Sequence, residues 1–356
     1  MTTRTRSDLP APEPVAIADH NEPDDVGVGV VGCGVQSTTA LLPSLRHTRS
    51  RLVAVCDLDS ERAEFARRRF GAEAACASVD ELLARTDLDA VIVVGPPALH
   101  VEAGIAALES GRHVFIEKPP GESLADALAL REAAHSADRQ LMVGFNKRCA
   151  SAYRLAAQLI AEPEFGEVTS IEMTYSSFPI PGLRLHLTDM SIHALDMVRW
   201  LGGEPARIAC HKRDMDDNHV IALTVEHESG VVSRLELSAL APGLRERLAV
   251  TGEGAAVQVD GVARLIYSRQ AELSAEEPNT RITRSWAPEL SWPDKQNDTQ
   301  VLQGYATELI AFCDAVREGR QVSPSIDDGV AAMRMIEAIA AAPGGMSVLD
   351  LHTQHV

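Results

Sequence analysis

Between Val26 and Lys147 the chain repeats one pattern, a short apolar run followed by a stretch with helical periodicity. The apolar runs VGVGVVG, LVAVCD, AVIVVG, HVFIEK and LMVGF are five predicted strands. Ser60 to Arg69, Ala98 to Ser110 and Ser123 to Ala137 are predicted helices, the last opened by Ser123 with Asp126 three places on. Strands apolar along their whole length are buried on both faces, and strands alternating with helices connect in parallel. Residues 26–147 should therefore form a doubly wound α/β domain, a Rossmann-type parallel sheet.

After Lys147 the texture changes. A helix (Ala150 to Ala161), a strand (VTSIEMTYSS) and a helix around Asp189 to Leu201 lead into ARIACHK, VIALTVEHE, VVSRLELSAL and RLAVTGE. These alternate apolar and polar residues and are separated by glycine-containing turns, so residues 148–356 are predicted as an α+β domain with a large, mostly antiparallel open sheet. Residues 271–300 carry Pro278, Pro288, Pro293, Trp286 and Trp292 with little periodicity and are predicted as a functional loop, either a stacking platform for a ligand or a contact with a neighbouring subunit. Two helices, Val301 to Glu318 and Ile326 to Ala342, close the chain and are free to pack back on the first domain. Residues 1–25, rich in proline and charge, read as a disordered lead-in.

Charge narrows the partners. The 356 residues hold 33 Lys and Arg against 51 Asp and Glu, a formal charge of -18, which repels nucleic acid and anionic lipid. No apolar run approaches the ~20 residues that span a bilayer, and the lead-in lacks the apolar stretch of a secretory signal, so a cytoplasmic protein is expected. The six cysteines are scattered without metal-ligand spacing, and no metal is expected. Only four lysines occur, Lys118, Lys147, Lys212 and Lys295, so a lysine inside a motif calls for a reason that arginine cannot meet.

The first strand ends in Gly32-Cys33-Gly34-Val35-Gln36-Ser37, a GxGxxG fingerprint with Ser37 in the last place. Its first glycine serves a tight turn, and its second lets a pyrophosphate approach backbone N–H groups at a helix N-terminus. Asp57 follows Gly32 by about 25 residues, close to the spacing of an acid that binds the adenosine ribose. A carboxylate there repels a 2′-phosphate, and Leu58 supplies no cation, so NAD is favoured over NADP; Arg62, one turn further on, argues the other way. As a helix cap, Asp59 or Ser60 fits better than Asp57.

At Ile116-Glu117-Lys118-Pro119-Pro120 the chain begins to resemble the Gfo/Idh/MocA family of oxidoreductases, which carries an EKP motif at this point of its Rossmann domain. The order of motifs is similar too: the glycine fingerprint, Asp57, Gly95-Pro96-Pro97 with His100, EKP, then Gly144-Phe145-Asn146. Asp189-Met190-Ser191-Ile192-His193 resembles the family's DxxxH helix, with Leu195-Asp196 and Trp200-Leu201-Gly202 continuing it, and Tyr305 to Phe312 resembles its penultimate helix. The resemblance assigns the catalytic lysine, aspartate and histidine to Lys118, Asp189 and His193. It implies Gly32, Gly34, Val35, Gln36, Asp57, Leu58, Gly95, Pro96, His100, Glu117 and Lys118 at the cofactor, and Asn146 at the cofactor or substrate. It also implies a homodimer or homotetramer built on the second domain's sheet.

The same residues suit alcohol oxidation on chemical grounds. Hydride departure from a secondary alcohol needs a base for the hydroxyl proton and a donor for the developing oxyanion. Asp189 and His193, four apart, share a helical face; His193 can take the proton while Asp189 orients it or bonds the substrate hydroxyl. Lys118, at the carboxyl edge of the sheet, can place its ammonium on the reacting oxygen. Alone, a DxxxH pair is more often a surface helix pair or a cap than a catalytic unit, and a lysine before proline is usually a solvated strand end. His100 fits packing beside Pro96-Pro97 better than chemistry, and Asp196 a structural role. Many family members have a glycine-rich run before the DxxxH helix, whereas this chain has Gly182-Leu183-Arg184-Leu185-His186, making Arg184 and His186 candidate substrate residues, with a surface histidine an equal reading of His186. The expected substrate is a small polyhydroxylated molecule: a cyclitol, sugar or sugar-bearing natural product. The alternatives are an NAD-using glycosidase of the same family and a non-catalytic NAD-binding regulatory protein.

Overall fold

The computed structural model describes Val15 and residues 25–215, 218–270, 281–291 and 298–351. Six strands form the first sheet: β1 (Val26–Val31), β2 (Ser50–Cys56), β3 (Ala74–Cys76), β4 (Ala90–Val93), β5 (His113–Glu117) and β6 (Leu141–Gly144). Their order is β3-β2-β1-β4-β5-β6 and every pairing is parallel. Five were expected; β3 is three residues long and too short to make an apolar run of its own. All six residues of β1 are buried, because helices cover both faces of the sheet. The helix Ser60–Phe70 starts at Asp59, whose side chain accepts from Glu61 N–H and Arg62 N–H, and Leu124–Ala137 starts with a reciprocal Ser123–Asp126 capping box.

The second sheet has nine strands: β7 (Val168–Ser176), β8 (Pro205–Met215), β9 (Asn218–His227), β10 (Val232–Ser238), β11 (Arg245–Gly252), β12 (Ala255–Asp260), β13 (Arg264–Gln270), β14 (Arg281–Trp286) and β15 (Gly345–Asp350). They run β14-β13-β12-β11-β7-β10-β9-β8-β15, antiparallel except for β7 beside β10. One expectation is corrected here. Part of the predicted 271–300 loop, Arg281–Trp286, is the edge strand β14, in which Trp286 pairs with Leu265 and packs partly on the core. Trp292 lies outside the described residues. Alternation sets the faces: Ile171, Met173 and Tyr175 of β7 join Ile221, Leu223 and Val225 of β9 in the core, beneath the helices Ser151–Ile160 and Ile192–Gly202.

The predicted helix from Val301 is broken. Thr299–Leu302 and Tyr305–Glu318 are separated at Gly304, whose φ is +94° and where a Cβ would stand 2.1 Å from the Asn146 carbonyl oxygen. Tyr305–Glu318 then returns to the first sheet, where Phe312 meets Phe115 edge-on at 5.8 Å between ring centroids. Ile326–Ala341 packs on Leu124–Ala137 and on Ile192–Gly202. These two helices pack the later part of the chain back onto the first domain.

Candidate active site

A cleft of about 530 Å³ lies where the carboxyl edge of the parallel sheet meets the inner face of the second sheet. Gly34, Val35, Gln36, Val94, Gly95 and Glu117 form one wall. Lys118, Asn146, Lys147, Tyr175, Asp189 and His193 form the other, with Gln303 and Tyr305 between them. A concavity of about 590 Å³ at residues 38–73 is also lined by Arg46, Arg51 and Arg69; however, Arg46 is paired with Asp298 and Arg51 with Glu73.

The cofactor wall is shaped by backbone. Gly32 has φ +93°, and a Cβ there would stand 1.8 Å from the Val94 carbonyl oxygen, so only glycine lets the turn lie this close to β4. Above Gly34 nothing comes within 4 Å of a Cβ position, which leaves an open cradle in front of the helical turn that follows. Ser37 is fully buried, as close packing at the third fingerprint position demands. Asp57 accepts from Cys33 N–H at 2.8 Å through Oδ2 and from Asp59 N–H at 2.9 Å through Oδ1. Backbone thus fixes this carboxylate at the sheet edge, and a carboxylate with about four lone-pair sites retains two for ribose hydroxyls. These residues fit an NAD-type dinucleotide. Arg62 pairs with Asp59 at 3.4 Å instead of standing over Asp57. Val35 and Leu58 are 79% and 99% exposed, apolar surface that a bound ring would cover.

His100 does not reach the cleft. It lies buried under the 95–97 turn, with Nδ1 2.9 Å from the Pro119 carbonyl and Nε2 accepting from Gly95 N–H at 3.2 Å. Burial pulls its pKa down to about 4, so the ring is neutral, and it joins the Gly95-Pro96 turn to the EKP segment. It serves the cofactor wall as a buried support.

Lys118 leaves β5 at the sheet edge and its Nζ donates to Asp189 twice, to the backbone oxygen and to Oδ1, both at 2.8 Å. The Asp189 side chain is 51% exposed. His193 lines the same wall but is 7% exposed, and its Nδ1 has no partner among the described residues. Asp189 therefore bonds Lys118 and not His193, one of the two arrangements considered from the sequence being absent. The reason is local. His186–Ser191 winds as a π-helix before Ile192–Gly202 continues as an α-helix, so the four-residue spacing does not place Asp189 and His193 side by side. Burial, then the charges of Lys118 and Lys147, hold the His193 pKa well below its ordinary value. Glu117, buried behind Lys118, has its pKa raised by burial while the lysine opposes the shift; its Oε1 lies 3.5 Å from Gln36 Nε2.

Two predicted substrate residues are elsewhere. Arg184 is bound to Glu337 and does not line the cleft. His186 is fully buried, with Nε2 3.4 Å from Ser191 Oγ. Asn146 does line the cleft, held by Nδ2 donating to the Gln303 carbonyl at 2.9 Å. Asp196 and Arg148 form a buried ion pair at 2.5 Å, with Arg148 also on Asp328 at 3.0 Å.

The sequence missed a second buried pair at the cleft. Lys147 Nζ donates to Glu246 Oε2 at 2.8 Å and to Gln303 Oε1 at 3.3 Å. Two signals pointed to it: the rarity of lysine, and a glutamate at a buried parity of β11, where its neighbours Arg245 and Arg247 are exposed. Tyr175 was legible in the same way, as an inward position of β7.

Comparison with known proteins gives matches along most of the chain. Residues 26–145 match the family model described as oxidoreductase family, NAD-binding Rossmann fold, and residues 153–258 match the Gfo/Idh/MocA C-terminal domain. An inositol 2-dehydrogenase of Saccharopolyspora erythraea is 30% identical over 336 residues, covering 89% of this chain and 93% of that protein. A D-xylose 1-dehydrogenase (NADP(+)) of Haloferax volcanii is 27% identical over 339 residues, covering 91% and 98%. Among solved structures, a dehydrogenase from Chromobacterium violaceum superposes with a TM-score of 0.81 at 27% identity, covering 89% of this chain and 94% of that one. Levoglucosan dehydrogenase in complex with NADH has the same fold, with a TM-score of 0.80 at 22% identity over 92% of this chain and 99% of that one.

Proposed function

Because the chain belongs to the Gfo/Idh/MocA oxidoreductase family, we propose that it oxidises a secondary hydroxyl of a sugar, cyclitol or sugar-bearing natural product to a ketone, or runs the reverse reduction. The chain carries the family's NAD-binding Rossmann domain. Relatives named for inositol and xylose support a polyhydroxylated substrate. NAD is the cofactor we favour over NADP, on the strength of the backbone-held Asp57 carboxylate. When bound, the nicotinamide supplies hydride acceptance and return.

One observation carries the reading: the Lys118 ammonium, held on Asp189, and a neutral His193 line the same cleft at the sheet edge. Lys118 donates to the reacting oxygen and stabilises negative charge as it develops. Asp189, half exposed beside it, has Oδ2 left to accept from the substrate hydroxyl. With Nδ1 buried, His193 has its Nε2 edge left to take the proton. Burial first, and then the charges of Lys118 and Lys147, disfavour the imidazolium, so the ring releases the proton to bulk water as product leaves. Asn146 and Gln303, which line the cleft, bond further hydroxyls.

The test is NADH absorbance at 340 nm, with NAD or NADP offered against inositols, amino-cyclitols, hexoses and aminoglycosides. Reduction of NAD by at least one is expected, with loss of turnover in His193→Ala. Sugar release without net reduction would make the protein a glycosidase, and turnover with NADP alone would overturn the role of Asp57. Self-association as a homodimer or homotetramer through the outer face of the nine-stranded sheet belongs to the same proposal and is read by sedimentation. So does a cytoplasmic location; among the described residues no helix is long and apolar enough to cross a membrane.

A further inference from the structure

The Arg184 guanidinium grips the molecule outside the cleft. Nη1 donates to Glu337 Oε2 at 3.0 Å and Nη2 to Glu337 Oε1 at 2.8 Å, a bidentate pair, while Nη2 also donates to the Glu122 carbonyl. Glu337 Oε1 accepts in addition from Leu124 N–H at 3.2 Å, at the start of the helix Leu124–Ala137. Glu122 lies four residues after Lys118, and Arg184 five residues before Asp189. Thr188 Oγ1 in turn donates to the Arg184 carbonyl at 2.9 Å, fixing the turn between Arg184 and Asp189.

Two chain segments, 118–124 and 184–189, are therefore joined twice. Inside the cleft the joint is Lys118 on Asp189; outside it is Arg184 on Glu122 and on the Glu337 carboxylate. The second segment needs the outer joint, because it begins after Gly182, at φ +85°, and then winds as a π-turn, a conformation that rarely extends on its own. Buried His186 and Leu187 pack the middle of the segment, whereas its start at Leu183–Leu185 has no buried residue and is tied down by the outer joint. A planar fork bound at two points fixes orientation as well as distance, which a lysine ammonium could not do. The Arg184 and Glu337 side chains are 40% and 35% exposed, so the pair adds little stability. Its consequence is geometric.

We propose that Arg184, through Glu337 and the Glu122 carbonyl, is a positioning residue that holds the Lys118–Asp189 pair in its working geometry. The kinetic part of this inference rests on the dehydrogenase reading; the structural part does not. In Arg184→Met, kcat should fall on the order of tenfold to a hundredfold, the scale set by about 1 Å of misplacement. KM and the NADH dissociation constant, read by fluorescence, should stay within roughly threefold. Arg184→Lys should recover part of kcat, and Arg184→Met combined with Glu337→Gln should lose no more than either alone.

Hydrogen exchange on the intact protein separates the two parts. Amides in both 118–124 and 184–193 should exchange faster in Arg184→Met while β1 and β4 keep their protection. Faster exchange in 184–193 alone would overturn the proposal, as would a raised KM at unchanged kcat, the result expected of a substrate contact. If Arg184→Met does not fold, Arg184→Lys and Glu337→Gln decide the same comparison. If wild type turns over none of the inositols, amino-cyclitols, hexoses and aminoglycosides, the dehydrogenase reading is what fails, and exchange alone decides the brace.

Discussion

Two lysine–carboxylate pairs stand at one cleft with the same length and opposite surroundings. Lys118 meets Asp189 at 2.8 Å with the carboxylate 51% exposed; Lys147 meets Glu246 at 2.8 Å with the two side chains 8% and 4% exposed. Distance alone does not tell them apart. Burial does, because a hydrated carboxylate can exchange one partner for another as substrate arrives, whereas a buried one has no alternative to the partner it already has. The exposed pair is suited to reaction and the buried pair to holding the shape around it.

The sharpest way to break this comparison is to remove each lysine's function in turn. Lys118→Met should lower kcat/KM about 10³- to 10⁴-fold, at the upper end of what proton transfer and oxyanion donors contribute. Its melting temperature should move by no more than about 2 °C, because a partly exposed pair contributes about 0–1 kcal/mol. An assay at 340 nm beside a calorimetric scan reads both. A large loss of stability would show that the Lys118 pair is structural after all.

Glu246→Ala should behave in the opposite sense. It strands the Lys147 ammonium in a buried site at a cost of about 3–5 kcal/mol, seen as a lowered denaturant midpoint. Replacing both partners, Lys147→Met with Glu246→Leu, should restore most of that stability, since an apolar pair of similar volume needs no compensation. If the double variant is as unstable as the single one, the pair is held by more than mutual neutralisation.

The contrast also marks what was legible in the sequence. The cofactor wall was legible because its glycines and Asp57 stand at fixed spacings in a strand-turn-helix pattern, even though Asp57 meets Cys33 and Gly32 meets Val94 across the sheet. Lys118, Asp189 and His193 were readable through motif resemblance, but their pairing was not. A π-turn looks like an α-helix in sequence, and the choice of Lys118 over His193 as Asp189's partner depends on how two sheets meet. Lys147 and Glu246 are 99 residues apart, and no local pattern connects them. Arg184 was misread because a charged residue beside a cleft motif looks the same whether it faces in or out. Strands β12 to β15 were missed for another reason: their runs are short, and β15 joins the sheet edge from the far end of the chain.

A third carboxyl sharpens the comparison because no lysine has been placed on it. Glu308, in the helix Tyr305–Glu318, is fully buried and neither carboxyl oxygen has a hydrogen-bond partner among the described residues. Burial first, and then the charge of Glu117, raise its pKa well above the ordinary 4.5. The folded protein thus holds a proton that the unfolded chain releases near pH 4.5. Between those two values the native state binds more protons, so stability falls as pH rises through the interval. Glu308→Gln keeps the shape and removes the titration. Its stability should match wild type below pH 4.5 and exceed it by a margin that widens as pH rises toward 7. Denaturant unfolding at pH 4, 5.5 and 7 reads the divergence. A wild type more stable than the variant at pH 7 would mean that Glu308 is ionised and held by donors, making it a third member of the buried, shape-holding class.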